Sequence, residues 1–177
     1  MNSFAVIFDM DGVIIDSNPF HKVSLRQFCE KYGFHLSDEE LVKRIYGRTN
    51  KEWITNLFGP LPHDRLIELE EEKEGLFREL FKNDIKALDG LDHFLSKLKN
   101  ENIPTAIGTS APRSNVDYVL EHTRLGEYFS VILDESHVEH GKPNPEIYLK
   151  VASALGFDPA RCIVFEDSLS GVEAARR

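Results

Sequence analysis

Residues 4–17 read FAVIFDMDGVIIDS. The run from Phe4 to Phe8 is short, branched and aromatic, and it stops at a carboxylate, the pattern of a strand buried on both faces of a parallel sheet. Asp9, Asp11 and Asp16 then stand close to a second apolar run, Val13 to Ile15. A carboxylate beside buried apolar surface is costly unless something positive meets it. The stretch therefore asks for a metal ion, a cationic side chain or a reaction, and the partner has to come from elsewhere in the chain.

Three later runs resemble the first: IPTAIG (103–108), YFSVIL (128–133) and CIVF (162–165). Helical spacing separates them, with Leu91, Phe94, Leu95 and Leu98 before the second run and Tyr148, Val151, Ala152 and Leu155 before the fourth. Strand and helix in alternation predict an α/β fold with a Rossmann-like parallel sheet. Residues 17–85 break that alternation. Leu25, Phe28, Cys29 and Tyr32 form a helical stripe ended by Gly33, while Ser37 to Glu40 and Thr49 to Glu52 each read as a capping box. A last helix is expected from Asp64 to Phe81, with Leu66, Leu69, Lys73, Leu76, Phe77 and Leu80 on one side. The expected organisation is a core of residues 1–16 and 86–177 and an inserted all-helical domain, 17–85. The acidic run ELEEEKE (68–74) reads as a solvated helix face with i,i+4 pairs. The chain ends in SGVEAARR, the opening turns of a helix, so the sheet is expected to lack a C-terminal strand.

Composition narrows the function. The 177 residues include 41% hydrophobic and 29% charged residues, enough apolar material for a real core. A net charge of −9 argues against nucleic acid and against anionic membrane surfaces, and favours a small substrate with a cation-assisted site. No apolar run approaches the roughly 20 residues of a membrane span, and the N-terminus lacks a signal-peptide order. Cys29 and Cys162 lie far apart in apolar surroundings, which predicts reduced, buried thiols and a cytoplasmic setting. The working form is expected to be a monomer.

In doubly wound sheets ligands sit beyond the carboxyl ends of the strands. Collecting the residues there gives Asp9, Asp11 and Gly12, then Thr109 and Ser110, then Lys142 in a long loop, then Glu166 and Asp167. Those types suit phosphoryl transfer. A carboxylate nucleophile and a phosphate dianion repel unless charge is neutralised, and Mg2+ on hard oxygen ligands can bridge them. Asp9 and Asp167, with the Asp11 carbonyl, are the best ligands; Lys142 adds positive charge, and Thr109 can hold phosphate oxygens. Attack by Asp9 would give an aspartyl phosphate, and Asp11 could protonate the leaving oxygen and later activate water.

Each piece also has a plain structural explanation. D-x-D-G is a common turn, Thr109 and Ser110 could cap a helix, GKPNPE could merely lead into one, and Glu166 and Asp167 could be a charge pair at a helix start. An EF-hand is excluded, because Val13 and Ile15 stand where oxygen ligands would be needed. His137 and His140 have a spacing that permits a metal, but lack an arranged partner and read as solvated loop residues.

In order, FDMDGVIIDS (8–17), GTSA (108–111), GKPNPEIY (141–148) and FEDSLSGVEAA (165–175) resemble the four motifs of the haloacid dehalogenase superfamily. The resemblance implies a Rossmann-like core with a helical cap, Asp9 as nucleophile, Asp11 as general acid/base, Thr109 on phosphate, Lys142 as charge clamp, and Asp167 with Glu166 at the Mg2+ site. The branch containing beta-phosphoglucomutase and sugar-phosphate phosphatases is the nearest in look. It places a cap histidine and lysine where His21 and Lys73 stand; the alternative for these two is a helix-surface His and a solvated Lys. The mutase also carries a cap arginine for a second phosphate. GRTNKEW (47–53) has Asn50 at that place, with Arg48 and Lys51 nearby. The expectation is a Mg2+-dependent phosphatase acting on a small phosphorylated metabolite; the alternatives are a phosphomutase and a truncated, non-catalytic form.

Overall fold

The computed structural model describes residues 4–45 and 48–177. Gly47 of the GRTNKEW string lies outside the described residues. The chain forms two compact units, Met1–Asp16 with Ile85–Arg177 and Ser17–Asp84. The first opens with strand β1 (Ala5–Phe8), all four residues of which are buried.

Among the described residues the second unit holds four helices. In α1 (Asn18–Lys31) the stripe of Leu25, Phe28 and Cys29 is buried. Gly33, at φ 80°, ends the helix, letting the Phe34 N–H return to the Cys29 carbonyl at 2.8 Å. Ser37 and Thr49 form capping boxes with Glu40 and Glu52, opening α2 (Asp38–Arg44) and α3 (Asn50–Phe58). Helix α4 (His63–Phe81) packs along α1 and α3. Leu25, Phe28, Leu41, Trp53, Ile54 and Leu69 converge in one core, each such burial being worth about 1.5–3 kcal/mol.

The acidic run on α4 corrects the sequence expectation. Lys73 and Glu74 are buried, and Glu72 meets Lys31, the last residue of α1, and Tyr32 just beyond it at 2.9 and 2.8 Å. Glu68 and Glu71 do stay exposed and pair within α4, with Arg65 at 2.7 Å and Arg78 at 3.3 Å, so the departure from a solvated face lies at Glu72, Lys73 and Glu74. Apolar periodicity cannot register a buried ion pair.

In the first unit, α5 (Leu91–Asn100), β2 (Thr105–Gly108), α6 (Arg113–Thr123), β3 (Val131–Leu133), α7 (Glu146–Leu155), β4 (Cys162–Phe165) and α8 (Leu169–Arg176) follow in turn. The four strands form a parallel sheet in the order β3-β2-β1-β4. Ile7, Ala106, Ile147, Tyr148 and Val151 make the core on one face, and Phe8 gathers Phe94, Phe129 and Phe165 on the other. The turn after β1 closes with Gly12, at φ 74°, donating to the Ile15 carbonyl at 2.8 Å, and Ile15 bridges to Ala87.

β4 is an edge strand, so Ile163 and Phe165 are exposed and Cys162 is half-buried. Cys29 is buried as expected, whereas the buried thiol expected at Cys162 is not found. No described helix is long and apolar enough to cross a membrane.

Candidate active site

Parallel strands deliver their carboxyl ends to one edge of the sheet, and the first residues beyond them gather there. Asp9 follows β1, its amide held by the Phe165 carbonyl of β4 at 3.0 Å. Lys142 Nζ lies 2.7 Å from Asp9 Oδ1 and 2.6 Å from Glu166 Oε1. All three side chains are less than a tenth exposed.

Three further features fix that triad. The Tyr148 ring lies under the Lys142 ammonium, 4.9 Å from its centroid, and the Tyr148 hydroxyl donates to Glu166 Oε1 at 3.1 Å. The Ser168 amide and hydroxyl donate to Glu166 Oε2 at 2.8 and 3.0 Å, while Ser168 Oγ caps α8 by accepting from the Gly171 amide. A side chain at Gly171 would overlap the Glu166 carboxylate, so glycine is required by close approach.

The loop carrying Lys142 is closed by Glu146, the first residue of α7. Its carboxylate accepts the amides of Glu139 and His140 at 3.0–3.2 Å and the Lys150 ammonium at 2.6 Å. The Lys150 hydrogen bond, then the two amides, hold the Glu146 carboxyl at about 2.

Electrostatics set the demands of the site. Burial drives the Asp9 carboxyl up to about 7; Lys142 pulls it down, and Glu166 and Asp11 push it up again. Burial opposes the Lys142 charge, but Asp9 and Glu166 outweigh it and hold the ammonium above its ordinary range. Burial likewise raises Glu166, and Lys142 and Ser168 more than reverse it. Tyr148 is pushed far up by burial and by the Asp9 and Glu166 charges, so its proton stays on oxygen. Carboxylates outnumber the ammonium, which leaves a deficit of positive charge. Asp9, Glu166 and Asp167 each offer an oxygen, all within 4.8 Å of one another. This hard-oxygen set fits a divalent cation such as Mg2+.

Thr109, beyond β2, is buried with its amide on the Leu133 carbonyl, and its Oγ1 accepts from the Ala111 amide at 3.1 Å. Ser110 is exposed, and α6 starts only at Arg113 without a side-chain cap. Neither hydroxyl caps that helix. Asp11 is half-buried and close enough to raise Asp9, while Asp16 is exposed.

In the helical unit the structure brings His21 and Lys73 together, with Nζ 3.1 Å from Nδ1. Lys73 is buried and His21 half-buried against the Phe77 ring, so neither is a solvated residue. Arg48 and Lys51 are exposed; the Arg48 guanidinium returns to the Lys43 carbonyl at 3.3 Å.

His137 and His140 are exposed, as expected, but His137 differs in having a partner. Its Nδ1 lies 3.0 Å from Asp134 Oδ1, a carboxylate partner that spacing did not reveal. Asp134 directly follows β3 and is buried, its Oδ1 holding the Ser136 amide and hydroxyl. Sequence reasoning missed Asp134, Glu146, Tyr148, Ser168 and Gly171. The first could have been found by the strand-end rule that found the other carboxylates. The rest read locally as helix starts or core positions.

Comparison with known proteins gives a consistent result. The family model described as haloacid dehalogenase-like hydrolase matches residues 6–177. The chain is 38% identical to a phosphorylated carbohydrates phosphatase of Thermotoga maritima, over 97% of this chain and 80% of the relative. It is 29% identical to a beta-phosphoglucomutase of Bacillus subtilis, over 97% and 78%. Among solved structures, a family IA variant 3 hydrolase from Entamoeba histolytica superposes with a TM-score of 0.84 at 36% identity, covering 98% of this chain and 79% of that one.

Proposed function

The chain belongs to the haloacid dehalogenase-like hydrolase family, and from that premise we propose that it is a Mg2+-dependent phosphatase of a small phosphorylated carbohydrate, working through an aspartyl phosphate at Asp9. The observation that carries this reading is the buried bridge of Lys142 to both Asp9 and Glu166 at the ends of β1 and β4.

Asp9 attacks phosphorus through its free oxygen; the phosphorus–oxygen bond to the sugar breaks, and Asp11 gives a proton to the departing alkoxide. Asp11 then takes a proton from the water that attacks the acyl phosphate, which frees inorganic phosphate and restores Asp9. Lys142 steadies the charge that builds on the transferring group, and the Thr109 hydroxyl and Ser110 orient its oxygens. Asp9, Asp167 and Glu166, with the Asp11 carbonyl, would hold Mg2+, which supplies the positive charge that lets a carboxylate and a phosphate approach. In the helical unit the residues proposed for substrate recognition are His21, Arg48, Lys51 and Lys73.

The test is phosphate release, with and without Mg2+, from a panel of glucose 1-phosphate, glucose 6-phosphate, fructose 1-phosphate and glycerol phosphate. Release from at least one member, abolished by EDTA and restored by Mg2+, supports the reading. Turnover that survives EDTA, or turnover of none, overturns it. Identity to a beta-phosphoglucomutase favours a second reading, a phosphomutase. Conversion of beta-glucose 1-phosphate to glucose 6-phosphate, primed by a bisphosphate, separates the two.

A further inference from the structure

The helical unit contains a buried polar chain that the catalytic machinery of the first unit does not use. The Trp53 indole N–H donates to Asn50 Oδ1 at 2.9 Å, and Asn50 Nδ2 donates to Glu74 Oε1 at 2.8 Å. Lys73 Nζ donates to the same Oε1 at 2.7 Å and stands 3.1 Å from His21 Nδ1. Trp53, Asn50, Lys73 and Glu74 are all less than a tenth exposed.

The direction of every hydrogen bond follows from its ends. An indole N–H only donates and a carboxylate only accepts, so the Asn50 amide has one possible orientation. An ammonium only donates, so His21 Nδ1 accepts and the imidazole proton resides on Nε2. The His21 ring is held flat on Phe77, with centroids 3.8 Å apart and planes within 6°. Burial raises the Glu74 carboxyl, but the Lys73 charge and the hydrogen bonds from Lys73 and Asn50 lower it and keep it ionised.

We infer that Glu74 is a positioning residue: anchored by Asn50 and Trp53, it fixes the Lys73 ammonium against His21 Nδ1, so that Lys73 meets a substrate as an oriented hydrogen-bond donor. The group Lys73 recognises is then an acceptor oxygen, such as a sugar hydroxyl or an oxyanion. This part rests on the phosphatase reading above. The same chain accounts for Asn50. Its amide is committed inside the unit, where the mutase pattern would place an arginine for a second phosphate.

Two measurements on the full chain test this. Imidazole nitrogen NMR, with His21 assigned by His21→Gln, should show the Nε2–H form in the wild type, and Glu74→Gln should shift His21 toward a mixture of tautomers. On the panel sugar phosphate turned over fastest, Glu74→Gln should raise KM about ten-fold, more than it lowers kcat, as the loss of one charge-assisted hydrogen bond would. A wild-type Nδ1–H form, or a Glu74→Gln spectrum and KM equal to wild type, overturns the proposal. If Glu74→Gln does not fold, Asn50→Ala takes its place with the same expected shifts. If no panel member is turned over, the phosphatase reading fails while the NMR result still decides the position of Glu74.

Discussion

The Lys142 ammonium lies 2.7 Å from Asp9 Oδ1, although 133 residues separate them, and both side chains are buried. Removing the cation leaves two carboxylates, Asp9 and Glu166, without their nearest positive partner. Lys142→Met should therefore lower the unfolding free energy by about 3 kcal/mol, read from urea denaturation. It should also reduce phosphate release at least ~100-fold. Equal stability and turnover in that variant would contradict the pairing.

Close approach at Gly171 gives a contrast within one residue type. Gly171→Ala drives a methyl group into the Glu166 carboxylate, so the variant should lose most of its activity and bind Mg2+ more weakly in calorimetry. Gly75, inside α4, has its nearest neighbour, Arg78 Nη2, at 3.9 Å from a built Cβ. Gly75→Ala should instead gain up to about 1 kcal/mol from helix propensity.

Glu146 sets a pH dependence. Its carboxyl lies at about 2 in the folded chain against an ordinary 4.5. A depressed carboxyl contributes stability that is fully present above its unfolded value and is lost as pH falls through the folded one. The Tm of Glu146→Gln should thus fall below that of the wild type at neutral pH. The gap should begin to close below pH 4.5 and be gone near pH 2. A gap that stays constant over that window would refute the assignment.

Trp53 is the one tryptophan of the sequence and sits in the core of the helical unit, so its fluorescence reports on that unit. Leu69→Ala empties a fully buried position of the same core. It should cost about 3 kcal/mol, seen as an earlier fluorescence transition in urea. An unchanged midpoint would mean that the unit is not held by this cluster.

What could be read before the structure was whatever is encoded locally. The run at 4–8 forms a strand over Ala5–Phe8, the run at 162–165 is a strand as written, and both capping boxes form. β2 and β3 are shorter than their apolar runs, because Pro104 has no N–H to give a ladder and Tyr128 closes a 3-10 turn. The strand-end rule found Asp9, Lys142 and Glu166 because parallel connectivity brings those ends together. Lys73 with Glu74 and Asp134 with His137 escaped for the opposite reason. A charged residue that folding buries, such as Lys73, Glu74 or Asp134, looks like surface in a sequence, since only the third dimension supplies its surroundings. Glu146 and Gly171 were illegible because they act on atoms of other side chains and loops, not through a pattern of their own.

The central claim is that Asp9 becomes phosphorylated. Borohydride reduction during turnover of a panel substrate with Mg2+, followed by mass spectrometry of the peptide containing residues 4–17, reads this directly. The account predicts homoserine in place of aspartate at position 9 in the wild type, and neither the reduced product nor phosphate release in Asp9→Asn. Full turnover by Asp9→Asn, or turnover in the wild type with the reduced residue at another position, would contradict it.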